Sequence, residues 1–319
     1  MKTALITGIA GQDGSYLTEF LLAKGYKVIG IEQNRDNIPD YFSSSLINKV
    51  DLLQLDIVNY SGIKEVFLRY KPDEVYNYAA YSSGSGMFDN PAKIAEVNGL
   101  AVVHMLEIIR QAKISSRFCQ ASSSEMFGGT TGSPQSEKTP FNPRSPYGAA
   151  KLYAHSMVGI YRKHYGLFAS SAILFNHESP RRGLGFVTKK IVHEAVRIKL
   201  GLAGELHLGN LDARRDWGFA GDYVQAMWLM LQQPEASDYV VATGQTHSVR
   251  EICEIVFGYL NLDYKSYVRN DPAEYRMFEE AQLVGDWTKA RTQLGWSPKV
   301  GFREMITLMV DAEMEMKSV

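Results

Sequence analysis

Apolar and polar positions alternate in blocks along the first 175 residues of the chain. Short apolar runs are separated by longer stretches in which apolar residues recur at helical spacing. The runs predict strands at residues 2–7, 27–31, 52–57, 75–80, 118–121 and 169–174. Strands that alternate with helices are typical of a parallel sheet with right-handed crossovers and a ligand at the carboxyl ends of the strands. We therefore predict an α/β fold with a Rossmann-type doubly wound parallel sheet.

The pattern changes after residue 175. Residues 176–183 and 209–217 are polar and turn-rich, and each block carries two adjacent arginines, which suit a bound diphosphate. A helix at 223–231, a strand at 239–242, a helix from Ser248 and a C-terminal helix are predicted next. We predict a dinucleotide-binding domain from residues 1–175 and 216–244, and a smaller, discontinuous substrate domain from residues 176–215 and 245–319.

Two segments of the first half are read separately. Residues 36–49 are predicted to form an irregular surface segment after the second strand. Residues 91–112 carry apolar side chains at helical spacing and are predicted to form one helix, which follows a loop at 81–88. In a doubly wound sheet that loop faces the cofactor ring, so we expect it to influence specificity.

A glycine-rich turn joins the first predicted strand to the first helix. Gly8, Gly11 and Gly14 form a G-x-x-G-x-x-G pattern, which lets a pyrophosphate approach the backbone and the amides at the helix N-terminus. Glu32 ends the second strand, where a carboxylate accepts a hydrogen bond from a ribose 2′-hydroxyl. The sequence therefore predicts NAD, with NADP as the alternative because Arg35 is near enough to hold a 2′-phosphate. Asp56 is placed to bind the adenine amino group.

The candidate chemistry lies between residues 118 and 151. Tyr147 and Lys151 are four residues apart and share one face of a predicted helix. A nearby ammonium stabilises a phenolate, so we predict a lowered pKa for Tyr147 and an acid/base role for it. Ser123 offers a hydroxyl that can relay a proton, and Glu125 adds a carboxylate two residues later. A lone Y-x-x-x-K is more often a core tyrosine and a solvated lysine, so this reading depends on the rest of the chain.

Composition narrows the class of partner. The 319 residues include 34 Lys and Arg against 35 Asp and Glu, so neither nucleic acid nor an anionic membrane is expected to be attracted. Cys119 and Cys253 are too few for a disulfide framework or a zinc site, which indicates a reducing compartment. No signal peptide or membrane span is recognised. We expect a cytoplasmic protein that binds a small molecule and no metal.

Several motifs together resemble those of the extended short-chain dehydrogenase/reductases, and most closely the GDP-mannose 4,6-dehydratase family. The likeness covers nearly the whole chain. It rests on the segments at residues 8–17, 120–125, 143–151, 175–183, 209–217 and 242–250.

The resemblance implies roles for individual residues. The catalytic set is Ser123, Glu125, Tyr147 and Lys151, with serine where the family usually has threonine. The implied cofactor-binding residues are Gly8, Gly11, Gln12, Asp13, Gly14, Glu32, Arg35, Asp56, Ile57, Tyr78, Ala79, Ala80, Tyr147, Lys151, His177 and Arg182. The implied substrate-binding residues are Ser82, Ser83, Ser123, Glu125, Asn176, Lys190, Gly209, Arg215, Arg276 and Glu279. A homo-oligomer, dimer or tetramer, is also implied.

The chain departs from the family pattern at three places. Residues 32–35 read Glu-Gln-Asn-Arg where the family has an arginine pair that holds the NADP phosphate and supports tetramer contacts. Residues 79–86 lose the family's Gln and His, which reduces bulk beside the sugar and suggests a substrate with more bulk at C6, such as a GDP-heptose. Residues 276–279 read Arg-Met-Phe-Glu instead of Arg-Pro-Thr-Glu.

The activity implied by the resemblance is an internal redox cycle on a GDP-sugar. Oxidation at C4, loss of water across C5 and C6, and reduction at C6 give a 4-keto-6-deoxy sugar without a net oxidant. Two alternatives remain at this point. One is a 4-keto-sugar reductase or a C4 oxidase/epimerase on the same scaffold, and the other is a catalytically idle sensor of NAD(P) or nucleotide sugar.

Overall fold

The computed structural model describes residues 1–42, 44–82, 88–275 and 282–318. The strands are β1 Thr3–Thr7, β2 Lys27–Glu32, β3 Asp51–Gln54, β4 Glu74–Asn77, β5 Arg117–Ser123, β6 Ala169–Leu174, β7 Asn176–Glu178, β8 Leu206–Leu208, β9 Arg214–Phe219, β10 Tyr239–Val241, β11 Thr246–Ser248 and β12 Val268–Asn270. The helices are α1 Gln12–Ala23, α2 Ser44–Ile47, α3 Tyr60–Tyr70, α4 Pro91–Ala95, α5 Ala101–Gln111, α6 Pro146–Tyr165, α7 Val187–Lys199, α8 Ala220–Gln232, α9 Val249–Tyr259, α10 Tyr264–Tyr267 and α11 Phe302–Ser318.

Seven strands form one parallel sheet in the order β10-β6-β5-β4-β1-β2-β3. Each neighbouring pair runs parallel, including β1 with β4, where the strand order reverses. This arrangement confirms the predicted Rossmann-type sheet. Its carboxyl edge at β1 and β4 is the topological switch point at which such sheets bind ligands.

Each face of the sheet is covered by helices because successive strand residues point to opposite sides. Ala4 and Ile6 pack in a cluster with α1 and α8, whereas Leu5 between them packs in a second cluster with α3, α5 and α6. All three side chains are fully buried. The near-continuous apolar runs of the sequence therefore reflect a sheet that is buried on both faces.

A third apolar cluster lies in the C-terminal half, where α7, α9 and α11 pack together. A three-stranded sheet, β11-β9-β7, and the parallel pair β12 and β8 complete this unit. The blocks predicted as turn-rich, 176–183 and 209–217, thus contain strands β7 and β9. The predicted domain division stays a prediction. Two tryptophans pack with the unit other than the one to which that division assigns them. Trp217 of β9 packs with the C-terminal cluster, and Trp296 packs with the cluster around α1 and α8.

Some predicted boundaries were wrong. The third and fourth strands end at Gln54 and Asn77, so residues 56–57 and 78–80 lie in loops at the carboxyl edge of the sheet. The segment predicted as irregular surface contains Phe42, which is only 1% exposed, since it packs in the cluster around α1. The Tyr41 hydroxyl donates a hydrogen bond to the Ala10 carbonyl at 3.2 Å, so this segment is anchored to the glycine-rich turn.

Among the described helices, none combines the length and the apolar character needed to span a bilayer.

A buried carboxylate organises the opposite, amino-terminal edge of the sheet. Glu74 is 1% exposed, and its Oε1 accepts from Lys2 Nζ at 2.9 Å and from the Tyr26 hydroxyl at 3.1 Å. Its Oε2 accepts from the buried Tyr76 hydroxyl at 2.7 Å. These bonds connect residues 2, 26, 74 and 76 far from the carboxyl edge.

We expect Glu74→Ala to lower the free energy of unfolding by about 2–4 kcal/mol, because the Tyr76 hydroxyl would be left buried without an acceptor. Urea unfolding followed by circular dichroism measures the change. Lys27→Ala is the control, and it should cost less than about 1 kcal/mol because Lys27 and its partner Asp51 are both 44% exposed. Equal losses in the two variants would contradict this account of Glu74.

Candidate active site

Helix α6 presents the candidate acid/base pair. Ser145 caps the helix by accepting from the Gly148 amide at 3.0 Å, and Pro146 occupies the first turn. Lys151 is 3% exposed, and its Nζ donates to the Ala121 carbonyl of β5 at 2.8 Å. The same Nζ lies 5.7 Å from the centroid of the Tyr147 ring. The shared helix face predicted for the two residues is present.

The carboxyl end of β5 supplies the other two members of the set. Ser123 ends the strand, and its Oγ accepts from the Glu125 amide at 3.2 Å as the N-cap of a 3₁₀ turn at Ser124–Phe127. A Cβ on Gly148 would lie 2.6 Å from the Glu125 carbonyl oxygen, so only glycine lets α6 approach this turn so closely. The Ser123 hydroxyl and the Glu125 carboxylate both lie near enough to act on the pKa of the Tyr147 phenol.

The proton affinities correct one expectation. The pKa of Tyr147 is raised to about 12, mainly by burial, while the hydrogen bond from Ser123 lowers it and the nearby Glu125 charge adds to the rise. The predicted lowering by Lys151 is therefore wrong for the protein alone. Burial also lowers the pKa of Lys151 to about 8, because a charged ammonium is costly to bury. Much of its charge is lost slightly above neutral pH.

The glycine-rich turn fits a dinucleotide. Gly8 has a φ of +65°, and a Cβ there would lie 3.0 Å from the backbone of Ala79. Gly14 is packed closely too, since a Cβ would lie 2.3 Å from the Gly8 carbonyl oxygen. Gly11 is the N-cap of α1 and offers no side-chain hydrogen bond, so the first amides of the helix remain suited to an anion.

The adenosine side is formed by the ends of β2 and β3. Glu32 Oε2 accepts from the Ala10 amide at 3.2 Å, which places the carboxylate beside the glycine-rich turn. Asp56 Oδ2 accepts from Gln33 Nε2 at 2.9 Å. The Arg35 guanidinium donates to the Leu52 carbonyl, so part of its donor capacity is used within the chain.

The remaining predicted cofactor contacts lie at the same edge. Ile57 and Ala79 pack against the cluster beneath the sheet, and Ala80 follows them in the loop after β4. The hydroxyl of Tyr78 is buried and has no partner among the described residues. Ser82 is exposed, whereas Ser83 lies outside the described residues.

Strand β7 and the loop after it bring the second unit to the glycine-rich turn. His177 Nε2 lies 3.0 Å from Asp13 Oδ2, and Gln12 Nε2 donates to the His177 carbonyl at 3.1 Å. Arg182 Nε lies 3.0 Å from Glu178 Oε2. His177 therefore lies beside the glycine-rich turn, and the cofactor contacts implied for His177 and Arg182 stay predictions.

Arg181, adjacent to Arg182, serves a different purpose. Its guanidinium donates to Ser15 Oγ at 3.0 Å and to Glu19 Oε1 at 2.6 Å, and it stacks 4.0 Å from the centroid of the Tyr16 ring. These contacts fasten the 177–182 segment to α1. The two adjacent arginines thus do not act as one diphosphate clamp.

The predicted nucleotide contacts fall in the C-terminal unit. Asn176 of β7 and Arg215 of β9 lie on paired parallel strands. Lys190 Nζ lies 3.1 Å from Glu274 Oε2, and a Cβ on Gly209 would lie 2.5 Å from the Glu274 carbonyl oxygen. Lys190 and Gly209 therefore border the segment that leads to Arg276 and Glu279, which lie outside the described residues.

Asn98 is a site residue that the sequence reasoning missed. It is 1% exposed, accepts from the Tyr81 amide at 2.7 Å and donates to the Tyr81 carbonyl at 3.0 Å. It lies in a π-helical turn, Glu96–Leu100, that interrupts the helix predicted for 91–112. A buried asparagine in an apolar helix was the available signal. Asn98 fixes the start of the loop after β4.

No group of three or more His, Cys, Asp or Glu side chains suited to a metal is found in the described part of the chain. A serine at the end of a parallel strand, a Tyr-x-x-x-Lys helix and a glycine-rich turn at the switch point define an NAD(P)-dependent enzyme of the short-chain dehydrogenase/reductase class. The comparisons with known proteins resolve the family within that class.

The family model described as GDP-mannose 4,6 dehydratase matches residues 5–309. The chain is 50% identical to GDP-mannose 4,6 dehydratase 2 of Arabidopsis thaliana over 99% of this chain and 87% of that protein. It is 43% identical to GDP-mannose 4,6 dehydratase of Homo sapiens over 99% and 92%. The chain belongs to the GDP-mannose 4,6-dehydratase family.

A solved structure agrees with this assignment at the level of the class. The UDP-glucose 4-epimerase of Thermus thermophilus, in complex with NAD, superimposes with a TM-score of 0.83 and is 29% identical over 98% of each chain. The glycine-rich turn, the uncapped α1 and Glu32 fit such a dinucleotide. The cofactor of this class is a nicotinamide dinucleotide.

The pKa of Lys151 gives a prediction on stability. Below about pH 8 the folded protein must bury a charged ammonium, whose ordinary pKa is 10.5. This penalty of roughly 3 kcal/mol is relieved as the pH rises from 8 to 10.5. Lys151→Met removes this penalty but also the hydrogen bond to Ala121. We therefore expect the cofactor-free variant to be about 1–2 kcal/mol more stable than the parent at pH 7. This advantage should be lost by pH 10.5.

Urea unfolding at both pH values measures the effect. Lys163→Met, at an exposed position on the same helix, is the control and should change stability little at either pH. The quantity compared is the stability of Lys151→Met minus that of the parent. A smaller value at pH 7 than at pH 10.5 would contradict the burial argument.

Proposed function

We propose that the chain is a GDP-sugar 4,6-dehydratase that converts GDP-mannose, or a related GDP-hexose or GDP-heptose, to the GDP-4-keto-6-deoxy sugar. The observation that carries the proposal is the convergence of Ser123, Glu125, Tyr147 and Lys151 at one strand end, in a chain that belongs to this family over nearly its whole length. A reductase needs the tyrosine and lysine, but the carboxylate beside them suits an elimination.

Tyr147 and Ser123 handle the C4 proton. A nicotinamide dinucleotide held at the glycine-rich turn would supply reversible hydride transfer between C4 and C6 of the sugar, so no external oxidant would be needed. Tyr147 is a neutral phenol in the protein alone, so it must release its own proton before it accepts the proton of the C4 hydroxyl, and the hydrogen bond from Ser123 favours that phenolate. Lys151 holds the helix against β5 through Ala121 and supplies positive charge below about pH 8.

Glu125 acts after the C4 ketone has formed. The ketone acidifies the C5 proton, and a carboxylate beside the sugar can remove it. The same carboxyl group can then protonate the departing C6 hydroxyl, which leaves as water. After it takes up a proton from solvent, it can return one to C5 when C6 is reduced. The 3₁₀ turn capped by Ser123 fixes the backbone of Glu125 for this step.

Two substitutions separate oxidation from elimination. Glu125→Gln keeps the size of the side chain but removes the base, so C4 oxidation should persist while water loss slows by about 10²–10⁴. Tyr147→Phe should suppress both steps because the proton acceptor for C4 is lost. Absorbance of reduced nicotinamide and solvent deuterium at C5 of the product, with GDP-mannose and no added reductant, measure the two steps.

The Gln variant should accumulate reduced cofactor and incorporate little deuterium, whereas the Phe variant should show neither signal. Dehydration by Glu125→Gln at the parent rate would show that Glu125 is not the base. Turnover that requires an added reductant would favour a 4-keto-sugar reductase instead.

We further propose that the preferred cofactor is NAD. The Glu32 carboxylate lies beside the glycine-rich turn, where it can accept from a ribose 2′-hydroxyl and would repel a 2′-phosphate. Arg35, the residue that could favour NADP, donates to the Leu52 carbonyl.

Calorimetric titration should show NAD⁺ bound at least tenfold more tightly than NADP⁺. Glu32→Gln should weaken NAD⁺ binding by about 10-fold or more, since a hydrogen bond to a charged acceptor is worth about 1.5–3 kcal/mol. The ratio of the dissociation constants of NADP⁺ and NAD⁺ should therefore fall. Asp36→Asn, an exposed carboxylate in the turn after β2, is the matched control and should leave the ratio unchanged. Tighter binding of NADP⁺ by the parent would overturn this assignment.

The assembly and the sugar are also matters of proposal. We propose a homo-oligomer formed through the apolar face of α4, the Glu96–Leu100 turn and α6, where Leu100, Tyr153 and Ile160 are 44%, 47% and 48% exposed. Ala149 and Tyr153 line a groove of about 580 Å³ on this face.

The preference for a sugar with more bulk at C6 stays a prediction, because most of the 81–86 loop lies outside the described residues. In the cell, the two buried thiols suit a cytoplasmic, reducing compartment.

A further inference from the structure

A carboxylate lies at the helix end where the pyrophosphate is expected. Asp13 is the second residue of α1, and its side chain is 20% exposed. A negative charge at this position repels a bound pyrophosphate and offsets part of the positive potential of the helix N-terminus. Cofactor binding therefore requires that the charge of Asp13 be neutralised.

His177 provides the neutralising group, and its geometry defines its protonation. Nδ1 lies 2.8 Å from the Phe175 carbonyl oxygen, which can only accept, so Nδ1 carries a hydrogen. Nε2 lies 3.0 Å from Asp13 Oδ2, which also accepts when ionised. A ring with an acceptor at each nitrogen is satisfied only as the imidazolium.

The electrostatics agree with this protonation state. Burial alone would lower the pKa of His177, but the charge and hydrogen bond of Asp13 outweigh burial and raise it. Burial alone would raise the pKa of Asp13, but His177 outweighs it and the pKa is lowered. The proton thus resides on the histidine.

Other groups also face this pair. Arg182 opposes the charge of His177 but is itself 3.0 Å from Glu178, and the Tyr223 ring stacks on His177 at 4.9 Å. Burial raises the pKa of Tyr223 well above its ordinary value, so this phenol is neutral. Within the described part of the chain, the charge of Asp13 also acts on Tyr41, Tyr78, Tyr147 and Lys151.

We propose that His177 is the proton-linked counter-ion of Asp13 and that the dinucleotide binds with His177 protonated. Loss of the proton places an imidazole lone pair against the Asp13 carboxylate and leaves that charge facing the pyrophosphate. The pair connects β7 of the second unit to the glycine-rich turn, so deprotonation weakens this junction as well. The inference rests on the cofactor site of the proposed function and adds its dependence on protons.

The experiment is a calorimetric titration of the cofactor-free protein with NAD⁺ from pH 6 to 9. For the parent, Kd should rise by up to about tenfold per pH unit above the pKa of His177 in the protein. In Asp13→Asn the neutral amide can pair with a neutral imidazole, so Kd should rise less steeply than in the parent, and the rise that remains above pH 8 reports Lys151, whose pKa is about 8. His207→Asn, which removes an exposed histidine paired with Glu205 at 2.8 Å, is the control and should keep the parent profile.

Nitrogen-15 NMR of the His177 ring provides a second readout that needs no cofactor. Both ring nitrogens should be protonated at pH 7 in the parent, and the pKa of His177 should fall in Asp13→Asn. A neutral ring at pH 7, a flat Kd profile for the parent, or an unchanged profile in Asp13→Asn would each overturn the proposal. Failure of the parent to bind NAD⁺ or NADP⁺ at any pH would instead contradict the proposed cofactor site.

Discussion

The contact between the N-terminus of α6 and the carboxyl end of β5 is the constraint on which the candidate site depends. Gly148 allows the helix to meet the carbonyl of Glu125, and Lys151 donates to the carbonyl of Ala121. These two contacts hold the phenol of Tyr147 beside Ser123 and Glu125. A side chain larger than hydrogen at position 148 would move the helix away from the strand end and separate the four groups at once.

Burial, more than charge pairing, sets the proton affinities at this site. The pKa values of Tyr147 and Lys151 move toward the neutral form of each group because water is excluded, and the hydrogen bond from Ser123 only partly opposes this for the phenol. His177 is the exception, since an adjacent carboxylate reverses the effect of burial. The site therefore combines a phenol held neutral by burial, an ammonium whose pKa burial lowers to about 8, and an imidazolium held charged by a partner.

How far the sequence predicts the structure depends on how local the signal is. Strand β6 was predicted with its observed bounds because residues 169–174 are an uninterrupted run that is buried throughout. The glycine-rich turn was predicted because its glycine spacing is typical of a strand-to-helix turn that binds a dinucleotide. The Tyr147 helix was predicted because residues four apart share one face of a helix. Strands β7 and β11 are three residues long and polar, so they lack the alternation by which a strand is recognised.

Contacts between distant segments account for most of what the sequence could not supply. Asp13 and His177 are 164 positions apart, and their pairing exists only because β7 brings the second unit against α1. The sign of the Tyr147 pKa shift was wrong for a related reason, since spacing places an ammonium near the phenol but carries no information on how much water surrounds either group. Arg181 shows the same limit from the other direction. Adjacent arginines predict a phosphate site. Arg181 instead stacks on Tyr16 and donates to Ser15 and Glu19, so it anchors its loop to α1. The family's chemistry thus depends on local motifs, while the charge balance around its cofactor turn depends on how the two units meet.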